Sequence, residues 1–400
     1  MRPLVRILLR GSLRQIRHIA AVPHAEARGL VAEVYAMARR EFGVVAPPLA
    51  LHSPAPEALA ASWLLLRETL LAEGRVSRAA KEAVATAVSR ANDCPYCVEV
   101  HEAKLATLPG ADGHEPLADW ARRSGDGPAA GAQPLPFDAA QAPEILGTAV
   151  VFHYLNRMVR LFLPDSPVPD AAPAAGRGPV MRTVARAMRP DPGTAVPPGA
   201  SLGLLPAAPL PAGLDWAKAT PSVADALARA VASVDAAAER WIPEPVRELL
   251  HARLAGYDGT APGPGRGWLG ESTAGLTDRQ TPAARMALLV ALNPHQITAA
   301  DVERFRALHP GDRELVELAS WAALTAAVRI GTRFTEPVRL DEPVRPSEPV
   351  RLSGPVRPSG PGRLGEPTGR TEPVHVTEPT HHTEPTGFTE PVRPTATAGP

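Results

Sequence analysis

The sequence predicts an all-α fold, a helical bundle built from two related halves and followed by a disordered, proline-rich C-terminal tail. Three observations support this. Apolar residues recur at helical spacing in segments of residues 25–165 and 214–334. Aromatic residues make up only 4% of the chain, so the core is built mainly from Ala, Leu and Val, which suits closely packed helices. From residue 335 onward a proline recurs in nearly every six-residue unit, which excludes helix and central strand.

Composition and charge exclude several classes of protein. The chain carries 42 basic and 42 acidic residues, and this balance argues against a nucleic-acid-binding surface. No window reaches the roughly 18 apolar residues of a membrane span. The only two cysteines have a C-x-x-C spacing, which is not the pattern of a secreted disulfide scaffold. We therefore expect a cytoplasmic protein that binds neither nucleic acid nor membrane.

Residues 1–24 form a basic N-terminal extension. Acidic side chains are missing from its first 20 residues, and its arginines are spaced among Leu and Ile, at Arg2, Arg6, Arg10, Arg14 and Arg17. Such a segment could be a membrane-surface helix or an organelle transit peptide. We favour the simpler interpretation, a frayed or packed extension.

The first domain, residues 25–165, begins with two predicted helices over residues 25–43 and 55–73, each ended by a glycine. A third predicted helix covers residues 78–90, where apolar side chains again follow helical spacing. This third helix carries Glu82, twelve residues before the first cysteine. Glu82 can reach the cysteines if the third helix packs against the next one.

The next helix carries a pair of thiols and an imidazole. Cys94, Cys97 and His101 follow i, i+3, i+7 and therefore share one helical face. Pro95 suits the first helical position, which makes Cys94 the N-cap. Both sulfurs then lie in the first turn, where the free N–H groups and the helix dipole stabilise a thiolate. The pattern indicates a redox dithiol with an acid/base group beside it.

Other interpretations of the two cysteines stay open. A C-x-x-C disulfide closes a very short loop and adds little stability. A structural zinc site usually needs four ligands, and Cys94, Cys97 and His101 supply three, so that Glu82 or a distant histidine would be the fourth. The cysteines could also be inert. We favour the redox pair.

The motif E-x(11)-C-x-x-C-x-x-x-H, formed by Glu82, Cys94, Cys97 and His101, resembles the active-site signature of the alkylhydroperoxidase D and carboxymuconolactone decarboxylase superfamily. The preceding segment, with its His-Ser-Pro and its Gly-containing turn, is similar to the lead-in of that family. The resemblance spans about residues 45–165. It implies an all-α protein that assembles into homo-oligomers.

The resemblance also implies roles for the four residues. Cys97 matches the cysteine that attacks a hydroperoxide, Cys94 the resolving cysteine, and Glu82 and His101 the proton relay. The substrate would be a small hydroperoxide, and the partner an external thiol reductant of lipoyl or thioredoxin type, or a peroxiredoxin; no cofactor is expected. Tyr96 stands where some members have a second histidine, and a phenol with a pKa near 10 is a poorer proton shuttle.

Two further segments complete the first domain. Residues 109–142 are rich in Gly, Pro, Ala and Asp and interrupt the helical pattern, so this segment could be a lid or a disordered insertion, and we favour the insertion. Residues 143–164 form a long apolar helix with His153 and Arg157, and this helix is similar to one that follows the dithiol helix in two-part members of the superfamily. His153 and Arg157 could line a cavity and orient the substrate or Glu82, or they could be hydrogen-bonded packing residues.

A Pro/Ala/Gly-rich linker over residues 166–213, with one short helix at 179–189, leads to the second half, residues 214–334. A shift of 204 residues aligns residues 77–88 with 281–292. Under this shift the four site residues fall on residues without their chemistry, namely Met286, Thr298, Asp301 and Phe305. We expect a degenerate second repeat that buries the faces a partner subunit covers in single-repeat relatives.

Residues 335–400 form the proline-rich repeat tail, which has little to bury and is expected to be extended and disordered. For the whole chain we predict a thiol-dependent peroxidase or disulfide oxidoreductase. A carboxymuconolactone decarboxylase-like lyase is the enzymatic alternative, although that branch of the superfamily does not need cysteines. A redox sensor or interaction module without turnover is the non-enzymatic alternative.

Overall fold

Helices supply the regular secondary structure in the part of the chain that the structure, a computed structural model, describes: residues 13–126, 135–168, 174–190 and 193–335. The α-helices among these residues are, in chain order, α1 (Gly29–Glu41), α2 (Pro47–Ala50), α3 (Pro56–Leu66), α4 (Arg78–Ala91), α5 (Pro95–Leu105), α6 (Glu115–Arg123), α7 (Ala142–Phe162), α8 (Ala174–Ala187), α9 (Pro221–Glu239), α10 (Glu244–Ala255), α11 (Gly267–Thr273), α12 (Thr281–Leu292), α13 (Ala299–Arg306) and α14 (Asp312–Thr332). No strand occurs in these ranges, and the predicted all-α fold is confirmed.

Local sequence explains several of the helix boundaries. A proline occupies one of the first two positions in α3, α5 and α9, where its missing N–H costs nothing. Ser77 caps α4 by accepting a hydrogen bond from the Ala80 N–H at 3.1 Å. The helix expected over residues 55–73 is α-helical only to Leu66 and continues as a π-helical turn, Arg67–Leu71.

The helix α7 lies at the centre of the fold. Every residue of α7 except Arg160 is buried, and the helix packs against both α4 and α14. At Gly147 of α7 a Cβ atom would lie 2.9 Å from Thr69 Cγ2 and 3.2 Å from Val223 Cγ1, so the missing side chain permits a close approach between the two halves. The halves consequently share one hydrophobic core.

The second half contains a helix pair at the positions that the 204-residue shift predicts. The pair α12–α13 falls on α4–α5, and Thr298, the N-cap of α13, aligns with Cys94, the N-cap of α5. Asp301 forms a capping box with Thr298, at the position aligned with Cys97. Ordinary capping groups thus stand where the first half has its thiols, while the duplication itself stays a prediction.

Two segments that the sequence suggested were connections carry helices that belong to the packed fold. Within residues 109–142, α6 packs against α4. Within the linker at 166–213, the helix expected at 179–189 is the longer α8, which packs against α5. Lys104 of α5 holds α8 in place by donating hydrogen bonds to the carbonyls of Ala185 and Met188.

Several expectations lie outside the described residues. These are the structure of the basic segment before residue 13 and that of the tail after residue 335. One described helix, α14, is long and apolar enough to span a membrane, and 78% of its most apolar stretch is buried inside the fold.

Candidate active site

A sharp turn joins the helix of Glu82 to the helix of the cysteines. Asp93 adopts φ 45°, a left-handed conformation that Asp tolerates better than most residues. The N–H of Cys94 then bonds to the carbonyl of Ser89 at 2.9 Å, and Pro95 begins α5. Cys94 is the N-cap of α5, as the sequence predicts. The tight connection brings α4 and α5 side by side, so that side chains of the two helices meet.

The two sulfurs lie together beneath the surface. Cys94 Sγ and Cys97 Sγ are 2.9 Å apart, and the residues are only 0% and 4% exposed. Burial, followed by the neighbouring Cys94, raises the pKa of the Cys97 thiol well above its ordinary value, although a hydrogen bond from Asn156 and the charge of Arg160 act in the opposite direction. The expected thiolate stabilisation at the helix N-terminus is therefore outweighed by burial, and Cys97 is held as a thiol.

Glu82 meets the imidazole rather than the thiols. Its Oε2 lies 2.6 Å from His101 Nδ1, and its Oε1 accepts hydrogen bonds from Arg78 Nε at 2.9 Å and Nη2 at 2.6 Å. Burial alone would raise the pKa of the Glu82 carboxyl, but Arg78 and His101 together lower it to about 2. An ionised carboxylate can only accept, so Nδ1 of His101 donates, and in the tautomer that this bond selects Nε2 is the acceptor.

A chain of amides and hydroxyls supports the side of the dithiol that faces α7. Asn92 donates from Nδ2 to Asn156 Oδ1 at 2.9 Å, and Asn156 donates from Nδ2 to Ser89 Oγ at 3.0 Å. The second N–H of the Asn156 amide is left for Cys97, whose thiolate form it favours. The chain fixes the orientation of the amide against the sulfur.

His153 and Arg157 do not contact Glu82. The ring of His153 is buried between Asn92, at 3.1 Å from Nδ1, and Ser124, at 3.0 Å from Nε2. Burial, with the charges of Arg157 and Arg333, lowers its pKa well below the ordinary value, so the ring is neutral. Arg157 donates to the carbonyls of Ala291 and His153. Both are hydrogen-bonded packing residues, and the suggestion that they orient Glu82 is wrong.

An apolar cavity of about 620 Å³ lies against His101. Its lining comes from seven parts of the chain and consists of Gln15, Phe42, Val44, Ala46, Pro47, Pro48, Leu49, Ser62, Leu66, Tyr96, Val100, His101, Leu155, Pro167, Val168, Pro179, Val180, Met181, Thr183, Val184 and Met188. Neither cysteine is part of the wall, and Tyr96 and His101 stand on either side of Cys97 along α5. Burial raises the pKa of the Tyr96 phenol, which makes it a still poorer proton shuttle than its type suggests.

The alternative metal site lacks a ligand set in this part of the molecule. Among the residues that the structure describes, no group of three or more His, Cys, Asp and Glu side chains could hold a metal ion. The Glu82 carboxylate, one proposed fourth ligand, is already bonded to Arg78 and His101 through both of its oxygens.

Comparisons with known proteins show the family of this chain. The model of the carboxymuconolactone decarboxylase family matches residues 57–108. Over 340 residues the chain is 38% identical to alkyl hydroperoxide reductase Rv2159c of Mycobacterium tuberculosis, an alignment that covers 80% of this chain and 95% of that protein. The chain belongs to the carboxymuconolactone decarboxylase family. The resemblance to the alkylhydroperoxidase D-like superfamily, found from the motif, is thereby confirmed.

The match to the carboxymuconolactone decarboxylase family contains Glu82, Cys94, Cys97 and His101 together with Arg78. Sequence reasoning missed Arg78, although its i, i+4 spacing to Glu82 on a predicted helix was a usable signal. It also missed Asn92 and Asn156 as supports of the dithiol. Asn92 follows α4 and Asn156 lies on α7, and no spacing along the chain could have joined them.

Proposed function

We propose that this chain is a thiol-dependent peroxidase that reduces hydroperoxides through Cys94 and Cys97, with His101 as the acid/base group and Glu82 as the carboxylate that orients it and stabilises its charge. One observation carries the proposal: a carboxylate-bonded imidazole and two adjacent sulfurs occupy the same helix, α5, within two turns. The name of the mycobacterial relative, an alkyl hydroperoxide reductase, supports the same reaction class.

The first step is removal of the Cys97 proton. Because burial raises the pKa of this thiol, it does not ionise unaided at neutral pH, and a base is required. His101 lies one helical turn further along α5, and its Nε2 can accept the proton. Glu82, ionised at neutral pH, stabilises the imidazolium that forms. Asn156 stabilises the thiolate from the other side.

The second step reduces the hydroperoxide. The Cys97 thiolate attacks the distal oxygen of R–O–O–H, an S–O bond forms, and the O–O bond breaks. The departing alkoxide takes a proton from the His101 imidazolium and leaves as the alcohol R–OH. Cys97 is oxidised by two electrons to the sulfenic acid, and His101 returns to its neutral form.

The third step returns the two cysteines to their reduced, dithiol form. Cys94, whose Sγ lies 2.9 Å from that of Cys97, displaces the sulfenic oxygen; an S–S bond forms and water leaves. An external dithiol then reduces the disulfide. The sum is one hydroperoxide and one dithiol converted to alcohol, water and the oxidised reductant. Because the cycle consumes a thiol reductant, we place it in a reducing compartment, the cytoplasm.

The test is hydroperoxide consumption with dihydrolipoamide as reductant. Cys97→Ser is expected to abolish turnover. Cys94→Ser is expected to consume about one equivalent of hydroperoxide per chain and then to stall or turn over slowly, because the sulfenic acid lacks its partner. Undiminished turnover in Cys97→Ser would refute the proposal.

The same assay separates the peroxidase from a redox sensor. A sensor would form the Cys94–Cys97 disulfide once and consume one equivalent of hydroperoxide, whatever the supply of reductant. A peroxidase consumes many equivalents, and its rate rises with reductant concentration until another step limits it. The stoichiometry in the unmodified chain therefore decides between the two functions.

A further inference from the structure

The cavity beside His101 has an unusual lining for a site that must handle a polar O–O group. Among the residues that the structure describes, its walls contain neither Lys, Arg, Asp nor Glu, and His101 is the one histidine. A volume of about 620 Å³ lies within the usual range of ligand sites, roughly 300–1,000 Å³, and far exceeds the needs of hydrogen peroxide. The cavity therefore suits a large, uncharged, mostly apolar molecule.

Two buried polar atoms interrupt this apolar wall without a partner. Ser62, on α3, is 0% exposed, and its Oγ has no hydrogen bond; Gln15 donates from Nε2 to the Pro167 carbonyl, while its buried Oε1 accepts none. A buried polar group without a partner costs free energy. Because both residues line the cavity, a bound molecule with one or two polar atoms can satisfy them.

The cavity also lies beside the helix that carries the cysteines and His101. Three residues of α5 line the cavity: Tyr96, Val100 and His101. Tyr96 precedes Cys97 in the sequence, and the other two follow it. The opposite wall is formed largely by α8, which contributes Val184 and which Lys104 anchors to α5. A molecule in the cavity therefore lies against the helix that carries the dithiol.

We infer that this cavity binds a bulky neutral hydroperoxide, whose apolar body fills the space between α8 and α3, with Ser62 and Gln15 as the polar anchors of its wall. The inference rests on the proposed function and names its substrate class. A substrate with a free carboxylate is disfavoured, because the described part of the lining has no lysine or arginine to offset the loss of its hydration. Ser62 and Val184 are then specificity-determining residues.

The kinetic test compares the kcat/KM of the full chain for methyl linoleate hydroperoxide, linoleic acid hydroperoxide and hydrogen peroxide. We expect kcat/KM for the ester to exceed that for each of the other two substrates by at least about tenfold.

Val184→Trp fills the cavity from α8 and should lower kcat/KM for the ester at least about tenfold more than for hydrogen peroxide. Ser62→Ala should raise the KM for the ester several-fold. Val231→Trp, at a partly buried valine of α9 outside the cavity, is the matched control and should leave all three values unchanged.

A binding test separates this inference from the proposed function. The Cys97→Ser variant, which cannot turn over hydroperoxide, is titrated with methyl 13-hydroxyoctadecadienoate. This is the alcohol that reduction of the ester hydroperoxide would yield. Binding is followed as a shift in the melting temperature of the protein. Binding that Val184→Trp abolishes and Val231→Trp spares supports the cavity even if no hydroperoxide is consumed; in that case only the substrate role fails. Turnover of hydroperoxides without a preference for the ester, together with no binding of the alcohol, overturns the inference while the peroxidase stands.

Discussion

Glu82 Oε2 lies 2.6 Å from His101 Nδ1 and joins α4 to α5 across the turn at Asp93. The other oxygen of the carboxylate is bonded to Arg78, and the pKa of the group is lowered to about 2. A carboxylate with such a pKa does not accept a proton at neutral pH. In the proposed reaction Glu82 therefore acts on the orientation and charge of His101, and the proton taken from Cys97 goes no further than the imidazole.

We expect Glu82→Gln to lower kcat/KM for hydroperoxide by roughly 10²–10⁴-fold, because the carboxylate that orients a catalytic imidazole can matter as much as the acid/base group itself. The amide lacks the charge that stabilises the imidazolium, and its N–H₂ group can donate to Nδ1, which would shift the ring proton to Nε2 and block the base. Initial rates of hydroperoxide consumption measure the effect.

Glu102→Gln is the matched control for this variant. Glu102 follows His101 on α5, is 43% exposed and pairs with Arg90, so its loss should change kcat/KM by less than about twofold. Equal losses in the two variants would mean that the general charge of α5, rather than the bond to Nδ1, determines activity.

Glu82 should also make stability depend on acid pH. Its pKa in the folded chain, about 2, lies below the ordinary 4.5, so its contribution is present above pH 4.5 and is lost as the pH falls towards 2. At 1.36 kcal/mol per pH unit the whole contribution is about 3 kcal/mol, of which about 2 kcal/mol is lost between pH 6 and pH 3.

Urea unfolding of the unmodified chain and of Glu82→Gln at several pH values measures this contribution. The Gln variant has no carboxyl at position 82, so the difference in free energy of unfolding between the two chains should shrink by about 2 kcal/mol from pH 6 to pH 3. A difference that stays constant over this interval would show that Glu82 does not carry a depressed pKa.

Local rules sufficed to predict much of the site. Helical periodicity places Cys94, Cys97 and His101 on one face, and Pro95 fixes where the helix begins. The short turn after α4 leaves few ways to pack α4 on α5, which brings Glu82 to His101. These features depend on residues within about twenty positions of one another, where the geometry of one or two helices decides the outcome.

The features that the sequence did not reveal depend on distant parts of the chain. Asn156 approaches Cys97 from α7, and the cavity wall combines Gln15 with Val184 of α8. The raised pKa of Cys97 has the same origin, because burial by neighbouring helices outweighs the effect of the helix N-terminus. Such long-range packing leaves no regular spacing along a single sequence.

Asn156→Leu should slow the reaction of Cys97. The substitution keeps the approximate volume but removes the N–H that favours the thiolate and takes one hydrogen bond from each of Asn92 and Ser89. In a Cys94→Ser background, where only Cys97 reacts, we expect alkylation by iodoacetamide at pH 7 to slow by about 3–10-fold, its pH midpoint to rise, and stability to fall by about 1–3 kcal/mol.

Asn293→Leu provides the comparison. Asn293 is a buried amide of the second half that donates to the Pro262 carbonyl, far from the thiols in sequence. The Asn293→Leu variant should be less stable than its parent, and the pH midpoint for alkylation of Cys97 should not change. If Asn156→Leu behaves in the same way, the amide supports the packing of α7 and does not tune the thiol.

Arg67→Met should be among the most destabilising substitutions outside the site. Arg67 is 0% exposed and donates from Nε to Glu41 at 2.5 Å and from Nη1 to Glu68 at 2.6 Å. Its removal takes from two buried carboxylates the buried charge that offsets their lost hydration. Glu68 keeps its bonds to Ser201 and to the Gly199 N–H, and Glu41 keeps the exposed Arg40. We expect a loss of about 3–5 kcal/mol in urea unfolding.

Two further variants isolate the cause of that loss. Arg40→Met removes a 52% exposed arginine that pairs with the same Glu41, and it should cost at most about 1 kcal/mol. Adding Glu41→Gln and Glu68→Gln to Arg67→Met removes the uncompensated charges and should restore part of the stability, because neutral amides are cheaper to bury than unpaired carboxylates. If the triple variant is no more stable than Arg67→Met alone, the cost lies in the lost packing of the arginine side chain and not in the buried charge.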